Sequence, residues 1–195
     1  MMSLPSENAR PALIAGAAEY SPEERRLLLR LAHQSIEAEL EGHRLDLRPP
    51  SDHLAEPRGA FTTLHLHGRL RGCIGYVFAT DPLYATVAQT ARGAAFDDPR
   101  FTPVTADEAA ALKVEISVLS PLRPITADEV EIGKHGLVVT QGSRRGLLLP
   151  QVPLEWGWDR ETFLAQTCLK AGLSADAWRH GAELLAFTAE VFGEE

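Results

Sequence analysis

The strand-forming segments of this chain come in pairs joined by very short connections, and nothing else restricts the fold as much. Two alternating runs between residues 61 and 77 flank Gly68-Arg69, and LVVTQ and LLL between 137 and 149 flank GSRRG. Connections this short close antiparallel hairpins, because a parallel crossover needs a dozen or more residues. Two further strands are expected, one at 113–119 with Val114, Ile116 and Val118 on one side, and one where Leu185, Phe187, Ala189 and Val191 alternate. Helices fall between these groups. Ser21-Pro22-Glu23-Glu24 opens the first, with serine as N-cap, proline at the first helical position and glutamate completing a capping box. Leu28, Leu31, Ala32, Ser35, Ile36 and Leu40 then form its buried stripe, and Gly42 ends it.

Asp81-Pro82 starts a second helix running to about Phe96, Thr105 with Glu108 a short third, and Thr126 with Glu129 another short turn. Asp159 caps a last helix to Ala171, with Gly172 behind it. Helices that separate groups of hairpins, instead of alternating one for one with strands, specify an α+β fold with a largely antiparallel sheet and flanking helices. At 195 residues the chain fits one domain of ordinary size. Residues 1–17 read as a flexible leader and 18–195 as a single domain, with a smaller lobe within about 135–175.

A net charge of −8 repels phosphate backbones at long range, so nucleic acid is disfavoured as a partner; the two arginines of GSRRG are the densest basic spot. No run reaches the ~18 apolar residues a bilayer requires. The opening MMSLPSENARPALIAG lacks the basic and apolar regions of a signal peptide. Cys73 and Cys168 lie in unrelated contexts and make no disulfide framework, so a reducing cytoplasm is the expected location.

Chemistry concentrates at RLRGCIG, residues 69–75. Side chains alternate along a strand, so Arg71 and Cys73 share a face. A two-residue Gly68-Arg69 loop sets Cys73 opposite Leu64. A three-residue loop instead gathers Leu64, Leu66, Leu70 and Ile74 on one face and Thr63, His65, Arg71 and Cys73 on the other. The second arrangement separates apolar from polar side chains more cleanly and is the expected one. It sets a thiol beside a fixed positive charge and a histidine, surroundings that favour a nucleophilic thiolate. Gly72 and Gly75 would let a ligand or another backbone approach the strand. The alternative is a cysteine that packs as a small hydrophobe.

LRGCIG resembles the signature of the AMMECR domain family, also called AmmeMemoRadiSam system protein A. The likeness continues in order through AAFDDPRF at 94–101, EISVLS at 115–120, KHGLVV at 134–139, GLLLPQV at 146–152 and CLKAGL at 168–173. Six motifs in sequence cover nearly the whole chain from Tyr20. The resemblance implies an α+β fold in a larger and a smaller subdomain, and a pathway shared with Memo-like and radical-SAM proteins. It also implies a ligand-binding or catalytic cleft near LRGCIG, with Arg71, Gly72 and Cys73 as its residues. Tyr76 stands where the family often has threonine or serine, and Pro153 where it usually has alanine.

Several other residues are candidates for the site. Asp97 and Asp98 could do acid/base work as paired carboxylates, Asp97 as a catalytic group and Asp98 as a ligand contact, or Asp-Asp-Pro-Arg could be a turn with Arg100 balancing charge. His65, His135, Gln151 and Glu155 are candidate ligand-binding residues, each with an ordinary surface or turn reading beside it. His65 and His67 point the same way and could be two metal ligands, but a third would have to come from elsewhere, such as His135 or Asp97, and no metal site is expected. No Ser/His/Asp signature, glycine-rich phosphate loop or CxxC pair identifies a cofactor. The ligand expected is a small molecule or peptide segment. Thiol-dependent transfer or hydrolysis is the leading activity, and a non-catalytic accessory module of the same pathway is the alternative.

Overall fold

A computed structural model describes residues 18–194; the expected leader at 1–17 lies outside the described residues. In chain order the elements are α1 (Pro22–Leu40), β1 (Ala60–Leu66), β2 (Arg69–Tyr76), α2 (Leu83–Phe96), α3 (Ala106–Ala109) and β3 (Leu112–Leu119). They continue with β4 (Arg123–Pro124), β5 (Gly136–Gln141), β6 (Arg144–Leu148), α4 (Val152–Trp156), α5 (Arg160–Lys170), β7 (Glu183–Phe187) and β8 (Ala189–Gly193). The fold is α+β and the recorded strand pairings are antiparallel. The chain divides into a larger unit, Ala18–Pro121 joined by residues from Glu190 onward, and a smaller unit, Leu122–Ala189.

The larger unit is a four-stranded sheet in the order β2-β1-β3-β8, with α1 and α2 over one face. Ala60, Thr62 and Leu64 of β1 and Val114, Ile116 and Val118 of β3 turn towards the helices, with Leu28, Ala32, Ile36, Val87, Ala91 and Ala94 filling the layer between. Thr62 is completely buried on this face, and its hydroxyl is satisfied by that of Thr90 at 2.8 Å. The helix starts follow local chemistry. Ser21 and Glu24 form the capping box of α1, and Thr105 and Glu108 that of α3. Helix α2 begins directly after Pro82, and α1 gives way to Gly42 at φ 71°.

The smaller unit has the strand order β4-β7-β5-β6. Its own core collects Leu137, Val139, Phe163, Leu164, Cys168, Leu184 and Ala186, with Trp158 and Trp178 packed against it. Cys168 is fully buried there, as its helical spacing predicts. Trp156 stacks on Trp158 at 6.0 Å between centroids but stays exposed.

Three local expectations change. The first hairpin turns on His67-Gly68, both at positive φ (52° and 77°), not on Gly68-Arg69. Two positive φ values suit the right-handed twist of the flanking strands. The arginines of GSRRG belong to β6, and the turn is Gly142-Ser143 alone, with Gln141 opposite Arg144. The closing segment is two strands, not one. It breaks at Thr188, with β7 in the second sheet and β8 at the edge of the first. The apolar alternation of the sequence runs across the break and so could not reveal it, and the strands bury Leu184, Ala186 and Phe192 while Val191 is exposed.

Candidate functional site

Strand β2 is the edge of the larger unit's sheet, so half of its backbone N–H groups face away from any partner strand. Thr63 lies opposite Cys73 and Leu64 opposite Gly72, the pairing that keeps Thr63 and Cys73 on one face. The register slips between Leu64 and His65, which leaves Arg71 as the extra residue of a bulge. That slip reconciles a two-residue turn with the pairing expected from a three-residue loop.

Cys73 is free and half-buried. Its sulfur accepts a hydrogen bond from the Thr63 hydroxyl at 3.3 Å, and its backbone N–H donates to Asp98 Oδ2 at 2.9 Å. Asp98 follows the end of α2 and its side chain is only 2% exposed. It also accepts from the Arg100 backbone N–H at 3.1 Å, from Arg100 Nε at 3.0 Å and from Nη2 at 2.7 Å. Four donors hold this carboxyl far below the usual carboxylate range, the Arg100 fork above all. It is an anchored anion that tethers the edge strand. The Arg100 guanidinium, held by Asp98, lies over the Phe101 ring at 5.4 Å and is about half exposed.

Arg71 is directed elsewhere. Its Nε and Nη2 each donate to Glu108 at 3.0 Å, and Nη2 also reaches the Pro103 carbonyl at 3.4 Å. Glu108 serves two purposes, because the same carboxylate accepts the Thr105 N–H at the start of α3. The arginine brings its carboxyl down to about 2.

Gly72 has a packing role that the sequence left open. A Cβ there would overlap the Ala94 carbonyl, so the bare backbone lets α2 settle on β2; one at Gly75 would overlap the Phe61 ring. The close approach is made by the protein's own helix and ring.

The other expected residues are placed as follows. Asp97 ends α2, exposed, and pairs with Arg92 Nη1 at 2.7 Å. His65 lies on β1 opposite Leu70 and Lys113, half-buried. His135, Gln151 and Glu155 belong to the smaller unit. His135 is buried where the chain enters β5, Gln151 is half-buried before α4, and Glu155 is exposed on α4. Among the described residues no group of three or more His, Cys, Asp or Glu side chains is arranged to hold a metal ion.

Sequence reasoning passed over Thr63 as a contact to sulfur and Glu108 as the partner of Arg71. The first could have been inferred from the pairing; the second carried only a helix-cap signal.

The cluster can therefore present a thiol, a hydroxyl and a guanidinium to a ligand over a strand whose edge is tied down by Asp98. No described helix is long and apolar enough to cross a membrane.

The family model described as AMMECR1 matches residues 29–192. The Methanopyrus kandleri protein MK0488 is 44% identical over 185 residues, 89% of each chain. A protein of Thermococcus gammatolerans is 44% identical over 183 residues, 86% of this chain and 89% of its own. The crystal structure of the uncharacterized protein PH0010 from Pyrococcus horikoshii superposes with a TM-score of 0.73 at 43% identity, covering 87% of this chain and 90% of that one. With the match to the family model running through both cores and the LRGCIG strand, the chain belongs to the AMMECR1 family.

Proposed function

We propose that the face of β2 carrying Cys73 binds a small-molecule or peptide-sized ligand, with the thiol as its nucleophile in a transfer or hydrolysis reaction. The supporting observation is a half-buried Cys73 whose sulfur is hydrogen-bonded by Thr63, on an edge strand fixed by the Asp98–Arg100 pair. A nucleophile must be reachable, and that condition favours half-buried Cys73 over fully buried Cys168. Arg100, with its partly exposed guanidinium, is the residue to meet an anionic group on the ligand. Arg71 positions α3 through Glu108. The reaction belongs to a cytoplasmic pathway shared with Memo-like and radical-SAM proteins, an assignment that rests on the family resemblance.

One observation favours a second reading, a non-catalytic accessory module. Asp98 and Glu108 are both consumed by hydrogen bonds within the chain, and neither is disposed to take a proton from the thiol. In that reading the same face docks a segment of a partner protein.

Alkylation kinetics test the thiol. Iodoacetamide should modify Cys73 in the native protein far faster than it modifies Cys168. Cys168, fully buried and with its thiol pushed up by burial, should react only on unfolding. A Cys73 as inert as Cys168 would refute the nucleophile. Co-purification with tagged Memo-like and radical-SAM proteins tests the pathway, and no association at micromolar concentration counts against it.

A further inference from the structure

The smaller unit holds a polar arrangement that the Cys73 reading does not use. His135 closes the loop leading into β5. Its backbone N–H donates to the Glu131 carbonyl at 3.1 Å, and the Glu131 N–H donates back to ring Nδ1 at 3.1 Å. Gly133, at φ 80°, makes the bend between them. The ring is locked by this exchange and only 1% of the residue is exposed. Arg123, on the short strand β4, sets its Nη2 at 3.2 Å from Nε2 of the same ring.

A neutral imidazole has one donor nitrogen and one acceptor nitrogen. The acceptor is Nδ1, since the hydrogen aimed at it is a backbone N–H that cannot turn away. Nε2 therefore carries the ring hydrogen, and it faces a guanidinium that can only donate. Protonating the ring gives no relief. Burial, with the charges of Arg123 and Lys134, disfavours the cation. Two donors converge, one on a buried side chain and one on an exposed arginine. The group that satisfies both is an oxygen acceptor, and one bearing negative charge suits the arginine best.

We propose that Arg123 and His135 form an oxyanion-binding site, accepting a carboxylate or phosphate group whose oxygens take hydrogen bonds from Nη2 and from Nε2–H. Two acidic residues lie in the same neighbourhood, and each is directed to its own partner. Glu131 takes Lys134 Nζ at 2.7 Å, and Glu129 takes the Thr126 N–H at 2.8 Å and its hydroxyl at 2.9 Å. Arg123 lies at the surface, so the anion enters from solvent along the guanidinium. The site is built entirely within the smaller unit and stands or falls independently of Cys73.

Long-range proton–nitrogen NMR of the histidine rings in the whole protein tests it, with acetate and inorganic phosphate as probes and chloride as the ionic-strength control. The His135 ring should carry its hydrogen on Nε2. Either probe should shift the Nε2 and Arg123 side-chain signals saturably at millimolar concentration, and whichever binds more tightly identifies the group preferred. Arg123→Met should weaken that binding at least tenfold while leaving the His135 tautomer unchanged. A hydrogen found on Nδ1 overturns the proposal, as does an absence of saturable shift with both anions or an unaltered shift in Arg123→Met.

Discussion

Asp97 and Asp98 are identical side chains at adjacent positions, and the structure assigns them very different energetic roles. Replacing Asp98 with alanine removes the acceptor for the Cys73 N–H on a nearly sealed side chain and releases the Arg100 fork. A hydrogen bond to a charged group contributes about 1.5–3 kcal/mol, and a stranded buried N–H costs a similar amount. The Arg100 pair adds at most about 1 kcal/mol, since that guanidinium is about half exposed and regains water. Asp98→Ala should therefore cost about 3 kcal/mol. Asp98→Asn, which keeps an oxygen for Cys73, should cost about half of that. Asp97→Ala should cost about 0.5 kcal/mol or less, because Asp97 is exposed and Arg92 keeps Glu39 as a second partner. Urea unfolding should be followed through amide resonances of the larger unit, since Trp156, Trp158 and Trp178 all lie in the smaller one. With m near ~1.5 kcal/mol/M, the Asp98→Ala midpoint should fall by about 2 M without a change in m. The sign with pH follows from the lowered carboxyl. The charged form's contribution is complete above the ordinary value of 3.8 and is lost as pH falls through the folded value. The gap between wild type and Asp98→Asn should be flat through neutral pH and begin to close only below about 4. Equal midpoints for Asp97→Ala and Asp98→Ala at neutral pH would refute the tether.

Gly72→Ala should be among the most damaging single-methyl additions in the chain, because the new Cβ meets the Ala94 backbone, and we expect a loss of about 3 kcal/mol or more, read as a fall in Tm. Gly68→Ala, at positive φ but with open space around it, should cost only about 1 kcal/mol in the same assay. Glu108→Ala strands a mostly buried Arg71 and should cost about 3 kcal/mol, whereas Arg71→Met combined with Glu108→Leu should recover much of it in a double-mutant cycle. The Glu108 contribution should be complete above its ordinary 4.5 and disappear as pH falls through about 2.

Much of the scaffold was legible because its signals are local. The capping boxes Ser21/Glu24 and Thr105/Glu108 each act over three residues, and they open the helices the sequence indicated. Alternation identified β1, β2 and β3, and the separation of polar from apolar faces selected the pairing of Thr63 with Cys73. Other features were illegible for equally physical reasons. His67 at positive φ is a conformation that a non-glycine residue seldom adopts, so residue type did not point to the His67-Gly68 turn. The switch of sheets at Thr188 falls inside the apolar alternation of Leu185, Phe187, Ala189 and Val191, so the sequence pattern did not reveal it. The candidate residues at 71–73 and 97–98 were read from motif and charge, but motif cannot assign partners. Arg71 pairs with Glu108, 37 positions away, a partner that no motif names.

By itself the sequence determined the class of fold, the family likeness and the face on which the thiol sits, all consequences of periodicity, caps and motif order. Only the tertiary structure decided which charges near Cys73 are spent and which remain available. That depends on how closely α2 approaches β2 over the bare Gly72 backbone, because the approach brings Asp98 to the strand edge and turns its carboxylate from a free base into a tether. Ion pairs and hydrogen bonds act over a few ångströms, and distances that short between remote segments are set by packing, not by the order of residues along the chain.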